Sequence, residues 1–224
     1  MKRSIVILMM ALFIASCKKE GSNPVENNGV QEKVIDYYPL TVGNYWIYKY
    51  YTSDSTLNFI DQNIIDSVYV ENDSVCYGNV YAVVHSSYWE SDYQVSIPTL
   101  VRDSSDCIVS NSGSKLFTIN QTTSNLAAYY PLDFPGHHDS TFYMTWKMKN
   151  SDSICEVPAG QYMAKYVVGN LKATIPVSRA MQERNYYYAY AKGIGLVSKR
   201  QGYVGLPEYL EENLIRYRVN GKIH

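Results

Sequence analysis

Few side chains in this sequence combine reactive type with useful spacing. His137, His138 and Asp139 follow Pro135-Gly136, and two imidazoles beside a carboxylate offer metal ligands or an acid–base pair. Neighbouring residues on a strand face opposite ways, so one ion would need the loop to turn both histidines inward and recruit Asp139 or a distant carboxylate. His85 falls in a strand-like run and His224 is terminal, so neither completes a site there. A solvated turn is the simpler reading. Glu183-Arg184 and Glu211-Glu212 supply carboxylates for acid and base roles in glycan cleavage, provided a cleft separates them correctly; solvated charges in loops or at sheet edges are by far the simpler reading. Cys76, Cys107 and Cys155 lie in no CxxC and near no histidine at ligand spacing, which removes zinc and iron–sulfur readings. Three buried or edge thiols are favoured over one disulfide and a free thiol. Gly193-Ile194-Gly195 lacks the third glycine and the following helix of a phosphate cradle, and no nucleophile elbow, HExxH or P-loop occurs. No metal, cofactor or catalytic residue is therefore assigned.

Cys17 carries the clearest chemistry. Lys2 and Arg3 precede an apolar run, Ile5 to Ile14, that is too short for a comfortable membrane span. Ile14-Ala15-Ser16-Cys17 then resembles a lipobox, which implies a diacylated thiol and cleavage that leaves Cys17 as the new N-terminus. Residues 1–16 thus read as a lipoprotein signal peptide, and the membrane is the expected partner through lipid at Cys17. An ordinary secretory peptide or an anchor helix is the alternative, and all three export the chain. Lys18 is not the aspartate that resembles an inner-membrane retention signal, so the expected location is the outer membrane, facing either the periplasm or the surface.

Composition narrows the rest. The formal net charge is −1, from 20 basic and 21 acidic side chains, and no basic cluster stands out, which argues against nucleic acid. Tyrosine is abundant, with 23 residues against 5 Phe and 3 Trp. Its ring packs while its hydroxyl stays wet, which suits broad antiparallel sheets. Because the tyrosines are spread over nearly every strand-like run, a structural role outweighs a single stacking surface. Trp89 is the aromatic most suited to partner or glycan binding.

These groups depend on a scaffold of short strands. Residues 17–34 are polar and rich in Gly, Asn and Pro, reading as a flexible tether to a single domain over 35–224. Strand-like runs recur at 45–51, 64–70, 80–85, 93–97, 107–109, 115–119, 141–149, 153–157, 162–168, 186–191, 194–199 and 214–219. Helical patterns are scarce: 177–184 reads as a short helix or extended loop, and 207–213 as one turn or two with Pro207 at its start. The expected class is all-β, an antiparallel meander curved into a half-barrel, barrel or sandwich, with at most short helices. Tyr37-Tyr38-Pro39-Leu40 leading to Gly43 and Trp46 is echoed by Tyr129-Tyr130-Pro131-Leu132 leading to Gly136 and Trp146, as two related halves or a coincidence would produce.

Four elements recur in order: Pro39-Leu40 through Gly43 and Trp46 to Tyr48; Pro131-Leu132 with Gly136 and Trp146; Val157-Pro158-Ala159-Gly160-Gln161-Tyr162; and Tyr190-Ala191 through Gly193, Ile194 and Gly195 to Leu196-Val197. The chain thereby resembles a family of uncharacterised exported proteins and lipoproteins of Gram-negative bacteria. The middle element departs most, with 133–139 inserted before Trp146. The resemblance implies an antiparallel β fold similar to the open barrels of lipoprotein carriers, and no catalytic residue. The expected function is a non-catalytic binding or interaction role at the cell envelope, with a lipid, glycan or protein partner. A glycan- or envelope-acting hydrolase using His137, His138 and Asp139 or Glu183, and a structural part of a surface assembly, are the alternatives.

Overall fold

The computed structural model describes residues 32–54, 56–90, 93–120, 126–128, 142–173, 183–202 and 208–223. Cys17 and the tether preceding Glu32, together with His137, His138 and Asp139, lie outside them.

After a 3-10 turn at Val34–Asp36, the chain is built from strands: β1 (Tyr45–Ser53), β2 (Phe59–Cys76), β3 (Asn79–Glu90), β4 (Tyr93–Ser104), β5 (Cys107–Ser110), β6 (Lys115–Thr118), β7 (Ala127–Ala128), β8 (Phe142–Met148), β9 (Ser153–Val157), β10 (Gly160–Ala173), β11 (Glu183–Ala191), β12 (Gly195–Gly202), β13 (Tyr209–Val219) and β14 (Lys222–Ile223). All belong to one antiparallel sheet with the order β6-β5-β4-β3-β2-β1-β13-β12-β11-β10-β8-β7, while β9 pairs with β10 and β14 with β13. Glu32–His224 make one compact unit.

The sheet curls into a half-barrel. Phe117 of β6 and Tyr190 of β11 stand eight strand spacings apart, about 38 Å in a flat sheet. Their ring centroids nevertheless lie 4.8 Å apart. The inner face carries Trp46, Tyr48, Val70, Val84, Phe117 and Tyr190, all buried. Alternation places them there: in β1, Trp46, Tyr48 and Tyr50 are buried while Tyr45, Ile47 and Lys49 between them are half-buried.

Buried tyrosines make this core workable, because a phenol in a dry interior needs a partner for its hydroxyl. Tyr48 Oη donates to the Leu196 carbonyl at 2.8 Å, and Tyr186 Oη to the Gly202 carbonyl at 2.8 Å. Burial pushes both Tyr48 and Tyr190 well above the usual phenol range, so both stay neutral.

Each of the twelve strand-like runs falls within or across an observed strand, but the short helix expected at 207–213 is not formed. Tyr209 to Asn213 belong to β13, where Glu211 and Glu212 pair across the sheet. Pro207 and the acidic residues imitate a helix start, but in β13 Leu210, Glu212 and Leu214 take one face and Tyr209, Glu211 and Asn213 the other. Likewise Glu183 and Arg184 open β11 rather than closing a helix. The three described cysteines are free thiols: Cys107 and Cys155 are buried and Cys76 is half-buried.

Candidate functional site

The motif residues meet as a clasp. Trp46 Nε1 donates to the Ile194 carbonyl at 2.6 Å, and Tyr48 reaches the next turn of the same strand through Leu196. Gly195, with φ 105°, lies so near that an added Cβ would stand 3.3 Å from both Pro39 Cδ and Trp46 Nε1. A side chain there is strained by conformation and would crowd Pro39 and Trp46. Asn44 ties the same corner: its Nδ2 donates to the Pro39 carbonyl and its Oδ1 accepts from the Asn220 amide at 2.9 Å. The Pro158-Ala159 turn docks onto β13, with the Ala159 amide donating to the Leu214 carbonyl at 3.0 Å. Opening, turn and late-strand motifs therefore build the fold. The opening and late-strand motifs also line an open cavity of about 70 Å³ beside Trp46 and Tyr190.

A larger cavity, about 170 Å³, opens where β6 faces β8, β10 and β11 across the half-barrel. Leu116, Leu126, Val167, Trp146 and Tyr188 form its walls, with Ser114 and Lys115 also on its lining. Trp146 is held as a rigid wall. Its ring lies flat over Gly169, its cross-strand partner, and stacks on Tyr188 at 4.9 Å with 24° between planes. Tyr186 meets the same indole edge-on at 6.0 Å.

From Tyr188 a row crosses the inner face through register neighbours Lys199, Glu212 and Tyr50. Lys199 Nζ bonds Glu212 Oε1 at 2.7 Å, and Tyr50 Oη donates to Asp66 Oδ2 at 3.3 Å. Asp66 is 2% exposed and Glu212 4%. Burial, reinforced by the Glu212 charge, pushes the Asp66 carboxyl up to about 6 against the Ser67 amide that bonds it at 2.6 Å. Two carboxylates thus share one lysine and one phenol inside the sheet.

Glu211, one residue away, turns to the opposite face. Arg200 reaches its Oε2 with Nε at 2.7 Å and a terminal nitrogen at 2.6 Å, and lies over the rings of Phe59 and Tyr187 at 4.6 and 5.0 Å. Glu211 and Glu212 are therefore buried, paired strand residues on opposite faces, not solvated charges, and cannot face each other across one cleft. Arg184 lies over Tyr209 at 5.3 Å. Glu183 is in β11 and Trp89 in β3, with both side chains outside the described set.

Histidine does meet a carboxylate at a place that sequence reasoning passed over. Glu71 is the extra residue of a bulge between Val70 and Asn72, and its Oε2 lies 2.8 Å from His85 Nε2. His85 Nδ1 lies 3.2 Å from Ser96 Oγ, and its ring stacks on Tyr69 at 5.0 Å. Serine, imidazole and carboxylate are connected in series here, but neither cavity adjoins them. No cluster of three or more His, Cys, Asp or Glu at metal-holding distance exists among the described residues.

No protein-family model and no curated protein matches the chain. Among solved structures, a candidate lipoprotein of Parabacteroides distasonis aligns with a TM-score of 0.44 and 14% identity, over 84% of this chain and 100% of that one. A candidate exported protein with a YmcC-like fold from Bacteroides fragilis aligns with a TM-score of 0.43 and 12% identity, over 80% of this chain and 96% of that one.

Proposed function

We propose that this chain is a lipid-anchored protein of the outer membrane whose half-barrel binds a small, mainly apolar ligand without transforming it. The anchor rests on Lys2, Arg3, the apolar run and Cys17. The binding role rests on one observation, the 170 Å³ cavity walled by Trp146, Tyr188, Val167, Leu116 and Leu126. A dry cavity of about 150 Å³ accepts a benzene-sized molecule. The ligand is therefore a single ring or the end of an acyl chain, with Lys115 on the lining to meet a polar head. The clasp cavity beside Trp46 is less than half that size.

Native mass spectrometry of the full chain, released gently from membranes, tests this reading. A co-purified lipid or ring-bearing compound is expected, and Val167→Trp, which fills the cavity from its wall, abolishes it. Retention of the same adduct by Val167→Trp refutes the site. Ligand-free protein whose Trp fluorescence ignores added fatty acid refutes the binding role.

A further inference from the structure

An antiparallel meander puts its turns alternately at two ends of the sheet. The segment through which the chain enters, Glu32 to Asn44, shares one end with the turns at 77–78, 158–159, 192–194 and 220–221, whereas the 54–58 hairpin lies at the other. Most of the exposed large apolar side chains among the described residues lie toward the first end, with Leu57 and Ile60 at the other. Val75, Tyr77 and Val80 form the β2–β3 tip; Ile154 and Met163 are cross-strand neighbours beside the 158–159 turn; Ile223 follows the last turn. Tyr77 is 89% exposed, Val75 73% and Val80 61%. The tip is a two-residue turn with φ 49° at Tyr77 and 75° at Gly78. Its first position normally suits Asn or Asp, so a tyrosine there holds an exposed ring at a backbone cost.

We propose that this end of the half-barrel rests on the bilayer, with Val75, Tyr77 and Val80 seated among the lipid headgroups. The proposal rests on acylation of Cys17. Fifteen residues from Cys17 to Glu32 span at most about 50 Å. Such a tether keeps the domain near the surface and leaves its orientation to other contacts. Tyrosine favours the membrane–water boundary, where its ring is buried and its hydroxyl stays wet.

The test is fluorescence of the full-length protein reconstituted in phosphatidylethanolamine–phosphatidylglycerol vesicles with brominated acyl chains. Tyr77→Trp adds a reporter at the proposed contact. Leu57→Trp adds one at the opposite end, at a residue that is also exposed, at 55%, and also left-handed, with φ 64°. A residue seated at the boundary sits about 5–10 Å deep, so the bromines should remove roughly half of the Tyr77→Trp increment and leave that of Leu57→Trp unchanged. Intact mass of the same sample reads the anchor. An unacylated chain overturns the anchor and this orientation with it. An acylated chain in which Tyr77→Trp is quenched no more than Leu57→Trp overturns the orientation alone.

Discussion

Gly169→Ala probes the wall of the larger cavity directly. The added Cβ would stand 2.6 Å from Trp146 Cζ3, with two more ring atoms at 2.7 and 2.8 Å. Ordinary carbon contacts lie at 3.5–4.0 Å, so the indole must retreat by about 1 Å. It has somewhere to go, because Trp146 also lines the cavity. The retreat weakens the stack on Tyr188, which is worth about 0.5–1.5 kcal/mol, and adds strain of the kind that costs about 1–3 kcal/mol in overpacked cores. Relief into the cavity favours the lower end, about 2 kcal/mol in all. Against this, alanine is the better strand residue by about 0.5–1 kcal/mol. A double-mutant cycle in urea separates the two. Gly169→Ala should destabilise the wild-type protein, yet be neutral or slightly stabilising once Trp146→Ala has removed the ring, giving a coupling near 2 kcal/mol. Equal effects in both backgrounds would refute the account of Gly169 as a slot cut for Trp146.

Asp66→Asn tests the inner row by pH. The folded carboxyl titrates near 6, above its usual 3.8. The fold therefore holds a proton that the unfolded chain has lost, and stability falls as pH rises from about 4 to about 6. After discounting for solvent screening, the variant should gain about 1–2 kcal/mol over wild type above pH 6 and match it near pH 3.5; parallel urea midpoints across that range would sink the assignment. Arg200→Lys keeps the charge but loses the two-nitrogen grip on Glu211 and the flat stacking on Phe59, so it should cost about 1–2 kcal/mol; an unchanged unfolding midpoint would count against it. Cys17→Ala should move the protein from the membrane to the soluble fraction, and its persistence in membranes would end the lipidation reading.

The strands were readable because alternation is a local signal: Trp46, Tyr48 and Tyr50 face one way wherever the chain goes. Glu211 and Glu212 were misread because an acidic pair after a proline looks the same before a helix as in a strand. What decides is Lys199 and Arg200 on the neighbouring strand, arriving from a different part of the sequence. Equally hidden was the meeting of Glu71 with His85, since it depends on a bulge that adds one residue to β2. The motif glycines were legible as bends, but not that Gly195 leaves room for Trp46, 149 positions earlier. Nor could Gly169 be tied to Trp146 without the β8–β10 register.

The sheet order has a consequence for how the molecule is made. Strands β1 to β6 are sequential hairpins that can form as the chain emerges, and so can β10 to β12. Among the described residues, strand pairing joins the two sets where β1 meets β13, Tyr45 against Arg218 and Trp46 against Tyr217. The Asn44 bond to the Asn220 amide ties that seam across 176 positions. The half-barrel thus closes only once β13 is available, and loop closure over such a separation is slow. For the exported chain proposed above, that order amounts to a delay: the early hairpins can pair at once, but the seam that closes the half-barrel waits for β13.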